Sequence, residues 1–232
     1  MDFGFSDEQQ LLRAEVRKFL DENASLERVR EIMATDEGFD RALWERMAEL
    51  GWVGLAIPEQ HGGAGLDLVT LIVLLEETGR SLFPSPLIST LLAARAIELA
   101  GSEEQQARWL PGLADGTTIG SFAYLEEGDR HDLDGIGLLG KRDGDTTLIS
   151  GTKQLVPDTV SADLFVVAYR SGAELDSVSL AVVDSGSDGL ATGHFPPLDA
   201  TKRIGRLSFE DVSVKADARL GADGSAAETF LQ

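Results

Sequence analysis

Ser121-Phe-Ala-Tyr-Leu-Glu-Glu-Gly-Asp-Arg-His-Asp132 divides the chain into two halves of different pattern. Upstream, apolar residues recur at the spacing of amphipathic helices; downstream they alternate as in strands. A seam between two architectures is a natural position for a pocket. This one carries Glu126, Glu127, Asp129, Asp132, Arg130 and His131. Its carboxylates have the chemistry of a general base or a divalent-cation site. In so acidic a chain, a solvated acidic loop is the favoured reading.

Upstream of the seam, Ser6-Asp7-Glu8-Gln9 reads as a capping box that opens a helix with the stripe Leu12, Val16, Phe19 and Leu20. Leu26, Val29 and Met33 predict a short second helix. Asp40 caps a third through Leu43, Met47 and Leu50, and Gly51 ends it. The loop Glu59–Gly65 holds Gly62, Gly63 and Gly65, which implies unusual backbone angles or a close approach by another group. Asp67 caps a long helix striped by Leu68, Leu71, Ile72, Leu75 and Leu82, on which Gly79 leaves room for a close neighbour. Phe83-Pro84-Ser85-Pro86 breaks the chain before an Ala-rich helix over Leu87–Leu99. Ser102-Glu103-Glu104-Gln105 is a second capping box, and Pro111-Gly112 is expected to stop its helix. Residues 1–117 thus read as a helical bundle of about six elements.

Downstream, Thr118–Leu125 reads as a strand, and Asp143-Gly144 as the turn of a hairpin between Ile136–Arg142 and Thr146–Lys153. Leu164–Tyr169, Val178–Val183 and Leu207–Val214 are further strands. An antiparallel barrel or sandwich over residues 118–222 follows. Helices then strands, without alternation, make the fold class α+β. Ser225–Gln232, with Ser225 and Glu228 as a capping box, reads as the opening of a helix in a third, truncated domain over residues 223–232.

Composition narrows the function classes. A net charge of −20 argues against nucleic acid or an anionic membrane as partner; Lys202, Arg203 and Arg206 form the one candidate basic patch. The absence of Cys removes disulfides, thiolate metal sites and thiol nucleophiles, and suits a reducing cytoplasm. The start Met1-Asp2-Phe3-Gly4-Phe5 has no signal-peptide pattern, and no apolar run is long enough to span a bilayer. Gly135-Ile136-Gly137-Leu138-Leu139-Gly140 has dinucleotide-fingerprint spacing, but a hairpin follows where the helix is needed, so these read as strand and turn glycines. His61 and His194 read as surface or turn residues, and no histidine pair has metal-ligand spacing.

Ile57-Pro58-Glu59-Gln60-His61-Gly62-Gly63-Ala64-Gly65, followed by Glu76-Glu77-Thr78-Gly79-Arg80, closely resembles the acyl-CoA dehydrogenase family. Gly101–Gln105 with Trp109-Leu110-Pro111, then Gly151-Thr152-Lys153, Phe209–Val214 and Leu220-Gly221 follow in the family's order. Leu198–Arg203 is similar to a variant of actinobacterial members. The resemblance implies an N-terminal helical domain, a middle β-barrel and a C-terminal four-helix domain absent or truncated here. It also implies FAD, an acyl-CoA substrate dehydrogenated at its α,β-carbons, and an electron-transferring flavoprotein as acceptor. The family's catalytic glutamate falls in the C-terminal region, so no catalytic residue is assigned before Gln232.

By the same resemblance the flavin contacts fall on Tyr124, Leu125, Glu126, Arg130 and His131 in the seam, and on Leu155, Val156 and Pro157. At the seam the family has Thr-Glu-Pro and Gly-Ser-Asp, whereas this chain has Leu125-Glu126-Glu127 and Arg130-His131-Asp132. Where the family has Trp-Ile-Thr or Trp-Ile-Ser, this chain has Leu155-Val156-Pro157, and Pro157 offers neither hydroxyl nor N–H. Three lost hydrogen bonds at about 1 kcal/mol each would weaken FAD on the order of a hundredfold. Two functional expectations follow. One is an acyl-CoA dehydrogenase subunit, in fatty acid or sterol degradation, that works in an oligomer with a partner subunit holding FAD. The other is a structural or binding subunit that keeps the fold and pairs with an active dehydrogenase.

Overall fold

A computed structural model of the chain describes residues 4–128, 130–172, 177–227 and 229–231. Asp129 and Glu228, to which the seam carboxylates and the last capping box assign roles, lie outside the described residues, as does Gln232.

Six α-helices come first among the described residues: α1 (Asp7–Asn23), α2 (Leu26–Met33), α3 (Arg41–Glu49), α4 (Leu68–Arg80), α5 (Leu87–Ala100) and α6 (Glu103–Ala114). The two capping boxes close as their sequences predict, Ser6 with Gln9 and Ser102 with Gln105, and Asp40 and Asp67 cap α3 and α4. Each side chain takes an N–H that the helix leaves unpaired. Pro111 does not stop α6, which runs through it to Ala114. Burial of Leu110, Leu113 and Ala114 on both sides of the proline offsets the one missing backbone bond.

The stripe expected on α4 is corrected too. Leu71, Val73, Leu74, Glu77 and Thr78 are buried, while Leu68 and Ile72 face outward. Leu82 lies beyond the helix and is exposed. The helix is apolar on two sides, so hydrophobicity alone does not select the inner one. Gly79 meets no neighbour within 4 Å of a hypothetical Cβ.

Eight strands follow among the described residues: β1 (Gly120–Ala123), β2 (Leu139–Asp143), β3 (Thr146–Pro157), β4 (Leu164–Arg170), β5 (Val178–Asp184), β6 (Leu190–Phe195), β7 (Ile204–Lys215) and β8 (Arg219–Leu220). They form one mostly antiparallel sheet in the order β6-β7-β3-β2-β4-β5-β8, with β1 added parallel to β4. The Asp143-Gly144 turn closes the β2–β3 hairpin as expected, with Gly144 at φ 59°. Strand β6, with the exposed His194, lacks the apolar alternation that marks the others. The stretch from Ser225 forms 3₁₀ turns, Ser225–Ala227 and Thr229–Leu231, and not the α-helix its composition suggests.

Both hydrophobic clusters mix helix and strand residues. One joins Val16, Trp44 and Leu74 to Phe165 and Leu207; the other joins Ile97, Leu110 and Leu113 to Val166 and Leu180. The main bridge is α5, whose Ala93 and Thr90 lie against Gly120 of β1. Trp44 adds a second tie, its indole N–H donating to Gly116 O at 2.9 Å just before β1.

Candidate functional site

The chain leaves β1 at Ala123 and returns to the sheet at Leu139, and the seam loop between these points is closed at its base by the sheet. Lys153 of β3 is wholly buried. Its Nζ lies 2.5 Å from Glu126 Oε1 and 3.1 Å from the carbonyl oxygen of Tyr124. The same Oε1 accepts the N–H groups of Gly137 at 3.0 Å and Leu138 at 2.9 Å. The Gln154 N–H donates to Leu125 O at 2.8 Å. From β4, the buried Arg170 donates to Leu133 O at 2.8 Å and to Ile136 O. Burial pushes the Lys153 ammonium down to about 8, although Glu126 beside it pulls the other way.

The outer arm of the loop is stitched separately. Arg130 donates to both carboxylate oxygens of Asp132, at 3.0 and 2.8 Å, and to Asp134 at 2.7 Å. The Arg130 hydrogen bond holds the Asp132 carboxyl below its usual range. His131 is exposed on this arm.

Across the base lies Leu155, in a bulge of β3 between Lys153 and Val156. It sits at φ 51°, a strained angle for a branched side chain, and is 55% exposed. Val156 is buried in the core. The Pro157 carbonyl accepts the Ser121 hydroxyl at 2.7 Å. Tyr124 stacks on Phe122, with ring centroids 5.7 Å apart. Of the residues the sequence nominates, Tyr124, Leu125, Glu126, Leu155 and Pro157 gather at this edge. Val156 turns its side chain inward, and Arg130 and His131 sit on the outer arm.

Several groups escape the sequence reading. Lys153 shares the inward face of β3 with Thr147 and Ile149, so strand parity could have flagged it. Asp158 follows Pro157 at φ 52°, and its Oδ2 accepts the Ser89 hydroxyl from α5 at 2.6 Å. Burial pushes its carboxyl up to about 6, against the Ser89 hydrogen bond and the pull of Lys202 and Arg203. The candidate basic patch is corrected at Arg203, which is buried. It donates to the carbonyls of Met33 at the end of α2, of Thr35 and Asp36 just beyond it, and of Ala200 and Lys202. A guanidinium spent on five carbonyls is not available to an anion.

The fingerprint glycines 135, 137 and 140 precede no helix; at Gly140 a Cβ would meet the Tyr169 ring at 2.5 Å, so they serve close packing. His61 is buried, its Nε2 3.2 Å from Gln106 Oε1, and not on the surface. Glu126 is engaged by Lys153 and two backbone N–H groups. Among the described residues no cluster of three or more His, Asp or Glu side chains is placed to hold a metal ion.

A second concave feature lies on the helical side. A groove of about 730 Å³ runs between the Gly-rich loop, α4 and α5, lined by Leu66, Leu71, Leu75, Ile88, Leu91 and Leu92, among others. Arg95 and Glu98, paired with each other at 3.0 Å, sit at the same groove, so its wall is apolar with one ion pair beside it. Gly63 shapes the loop: a Cβ there would lie 2.0 Å from Ile57 O.

Residues 6–117 match the family described as Acyl-CoA dehydrogenase, N-terminal domain. The long-chain specific acyl-CoA dehydrogenase of Sus scrofa mitochondria is 31% identical over 98% of this chain and 54% of its own length. The Tcur3481–Tcur3483 steroid ACAD superposes with a TM-score of 0.85 at 34% identity, over 97% of this chain and 59% of that one. The ChsE4–ChsE5 complex of Mycobacterium tuberculosis gives a TM-score of 0.86 at 26% identity, over 99% and 61%. The chain spans little more than half the length of the curated relatives it matches along its full length. No helix among the described residues is long and apolar enough to cross a membrane. Sequence and fold agree from α1 to β8: the chain is a member of the acyl-CoA dehydrogenase family and carries the family's amino-terminal domain over residues 6–117.

Proposed function

We propose that this chain is a subunit of an oligomeric acyl-CoA dehydrogenase, acting on a CoA thioester together with a partner subunit that holds FAD and the catalytic base. One observation carries the reading: Glu126 and Arg130, two of the charged side chains of the seam, are spent within the seam itself. A flavin needs apolar surface against its plane and hydrogen-bonding groups at its polar edge. Leu155 supplies the first. For the second, Glu126 is committed to Lys153, Gly137 and Leu138, and Arg130 to Asp132 and Asp134. Pro157 has no N–H, and its carbonyl takes Ser121. These side chains do not fit the polar edge, so Tyr124, Leu125, Glu126, Leu155, Val156 and Pro157, with Arg130 and His131 on the arm, are proposed as a flavin-facing edge that does not retain FAD unaided.

The apolar groove supports an acyl chain as the substrate's tail, and the division at residue 117, where the family match ends, supports a helical and a sheet domain. Two of the similar structures, the Tcur3481–Tcur3483 steroid ACAD and the ChsE4–ChsE5 complex, pair two differently named chains, which supports assembly with a second dehydrogenase chain and a steroid or fatty acyl thioester. An electron-transferring flavoprotein would then accept the electrons. A cytoplasmic setting suits a chain without Cys.

The full-length protein, expressed alone and with a dehydrogenase-like partner, tests this by flavin absorbance and acyl-CoA oxidation. Colour and oxidation only on co-expression are the expected result. Yellow protein from the single chain would overturn the degraded-edge reading. Absence of both in every combination would leave the purely structural subunit as the better account.

A further inference from the structure

We propose that Glu126 and Lys153 are positioning residues: their buried ion pair closes the base of the seam loop on β3 and so fixes residues 124–126 opposite Leu155. The functional weight of this clasp rests on the reading that this edge faces the cofactor in the assembled enzyme. The clasp itself rests on geometry alone.

Three donors converge on one carboxylate oxygen. Lys153, wholly buried, reaches Glu126 at 2.5 Å and Tyr124 O at 3.1 Å, and Glu126 Oε1 also takes the N–H groups of Gly137 and Leu138. One carboxylate oxygen therefore ties together the start of the loop, its end and the neighbouring strand. A buried ammonium is tolerated only when paired and hydrogen-bonded, and a buried backbone N–H only when it has an acceptor. Removing Glu126 thus leaves both the Lys153 ammonium and the buried Leu138 N–H unsatisfied, and removing Lys153 leaves Glu126 without its cation and the Tyr124 carbonyl without this donor. Arg170 is the other charge near Lys153, and its guanidinium holds Leu133 and Ile136 further along the same loop. The clasp also accounts for Gly137, where a Cβ would meet Glu126 Oε2 at 3.2 Å.

The charge on Lys153 adds a pH signature. With its ammonium pushed down to about 8 from the ordinary 10.5, the unfolded chain binds more protons across that window. Global stability therefore rises with pH there. The ion pair is lost over the same window. Against an opened loop in which Lys153 stays buried without Glu126 the sign is reversed: Glu126 raises the Lys153 value, so the clasp's own stability is present below about 8 and is lost as pH rises through it, and the seam loop loosens.

Hydrogen exchange on the full chain reads this directly. In Glu126→Ala and Lys153→Gln, the Gly137 and Leu138 amides should exchange at least about tenfold faster, with β4 and β5 amides unchanged. Glu126→Gln, which keeps an acceptor for both amides, covers the case in which the alanine variant fails to fold. It should show a smaller acceleration. Wild-type protection at Gly137 and Leu138, corrected for intrinsic exchange, should fall as pH passes about 8, with no such step in Lys153→Gln. Unchanged exchange at these amides in the variants, or a pH step that survives in Lys153→Gln, would overturn the clasp. Quenching of added FAD supplies the functional arm. If the wild-type chain binds FAD and the variants bind it at least about tenfold more weakly, positioning is supported; equal binding would overturn it. If exchange changes as expected and the wild type binds no FAD, the clasp stands as a structural device, and FAD binding in the co-expressed complex, with and without Glu126→Gln, decides whether it positions the cofactor edge.

Discussion

Asp158 is an acid whose burial opposes its charge. Its carboxyl, pushed up to about 6, is held in place by Ser89 of α5. An acid whose folded-state value lies above its unfolded 3.8 binds more protons when folded between those limits. Stability from this group is therefore present at low pH and lost as pH rises towards about 6. Asp158→Asn keeps an acceptor for the Ser89 hydroxyl and removes the buried charge. It should raise stability by about 1–2 kcal/mol near pH 7 and change little near pH 4, as read from urea midpoints at both. The same residue shows why strain matters here. Leu155 and Asp158 both sit at positive φ and flank Val156 and Pro157, so the end of β3 is bent to reach both the seam loop and α5.

At the scale of elements, α1 and α4 are joined through one buried acid. Glu77 receives Arg17 at 2.9 and 2.6 Å and Arg80 at 2.9 Å. The Arg17 hydrogen bond, more than any other cause, holds its carboxyl below the usual range. That stability is present above the ordinary carboxylate value and is lost as pH falls through the lower folded one. Glu77→Gln should cost about 2–3 kcal/mol near pH 7, with the gap to wild type narrowing below about pH 4; denaturation at the two pH values checks it. The resemblance treats this stretch as a family signature. In the structure its acid is the staple between two helices, which explains why a charged residue sits on the inward face of α4.

Across the whole molecule, the helical side presents apolar surface that nothing in the described chain covers. Leu68, Val69, Ile72, Ile88 and Leu92 are each 49–61% exposed, on α4 and α5 around the groove. Contiguous apolar surface of this kind marks a binding face. The isolated chain should enhance the fluorescence of an anilinonaphthalene sulfonate dye. Ile72→Lys with Leu92→Lys should cut that signal by about half or more while leaving the melting temperature within a few degrees. Loss of dye binding without loss of fold places the surface at this face; an unchanged signal would place it elsewhere.

The sequence by itself determined the helices with capping residues, the Asp143-Gly144 hairpin, the α+β order and the family, because these depend on local spacing and on short motifs. It did not determine which face of α4 is buried, that Pro111 lies within α6, or that β1 pairs parallel with β4. Those outcomes come from competition between apolar surfaces for one core, which periodicity does not rank. At the candidate site the sequence picked out Glu126, Leu155 and Pro157. Only the tertiary structure gave Glu126 its partner, 27 positions away in Lys153, and showed Arg203 spent on the carbonyls at the end of α2 and just beyond it. A buried charge takes its role from what faces it, and what faces it is decided by how the strands pair.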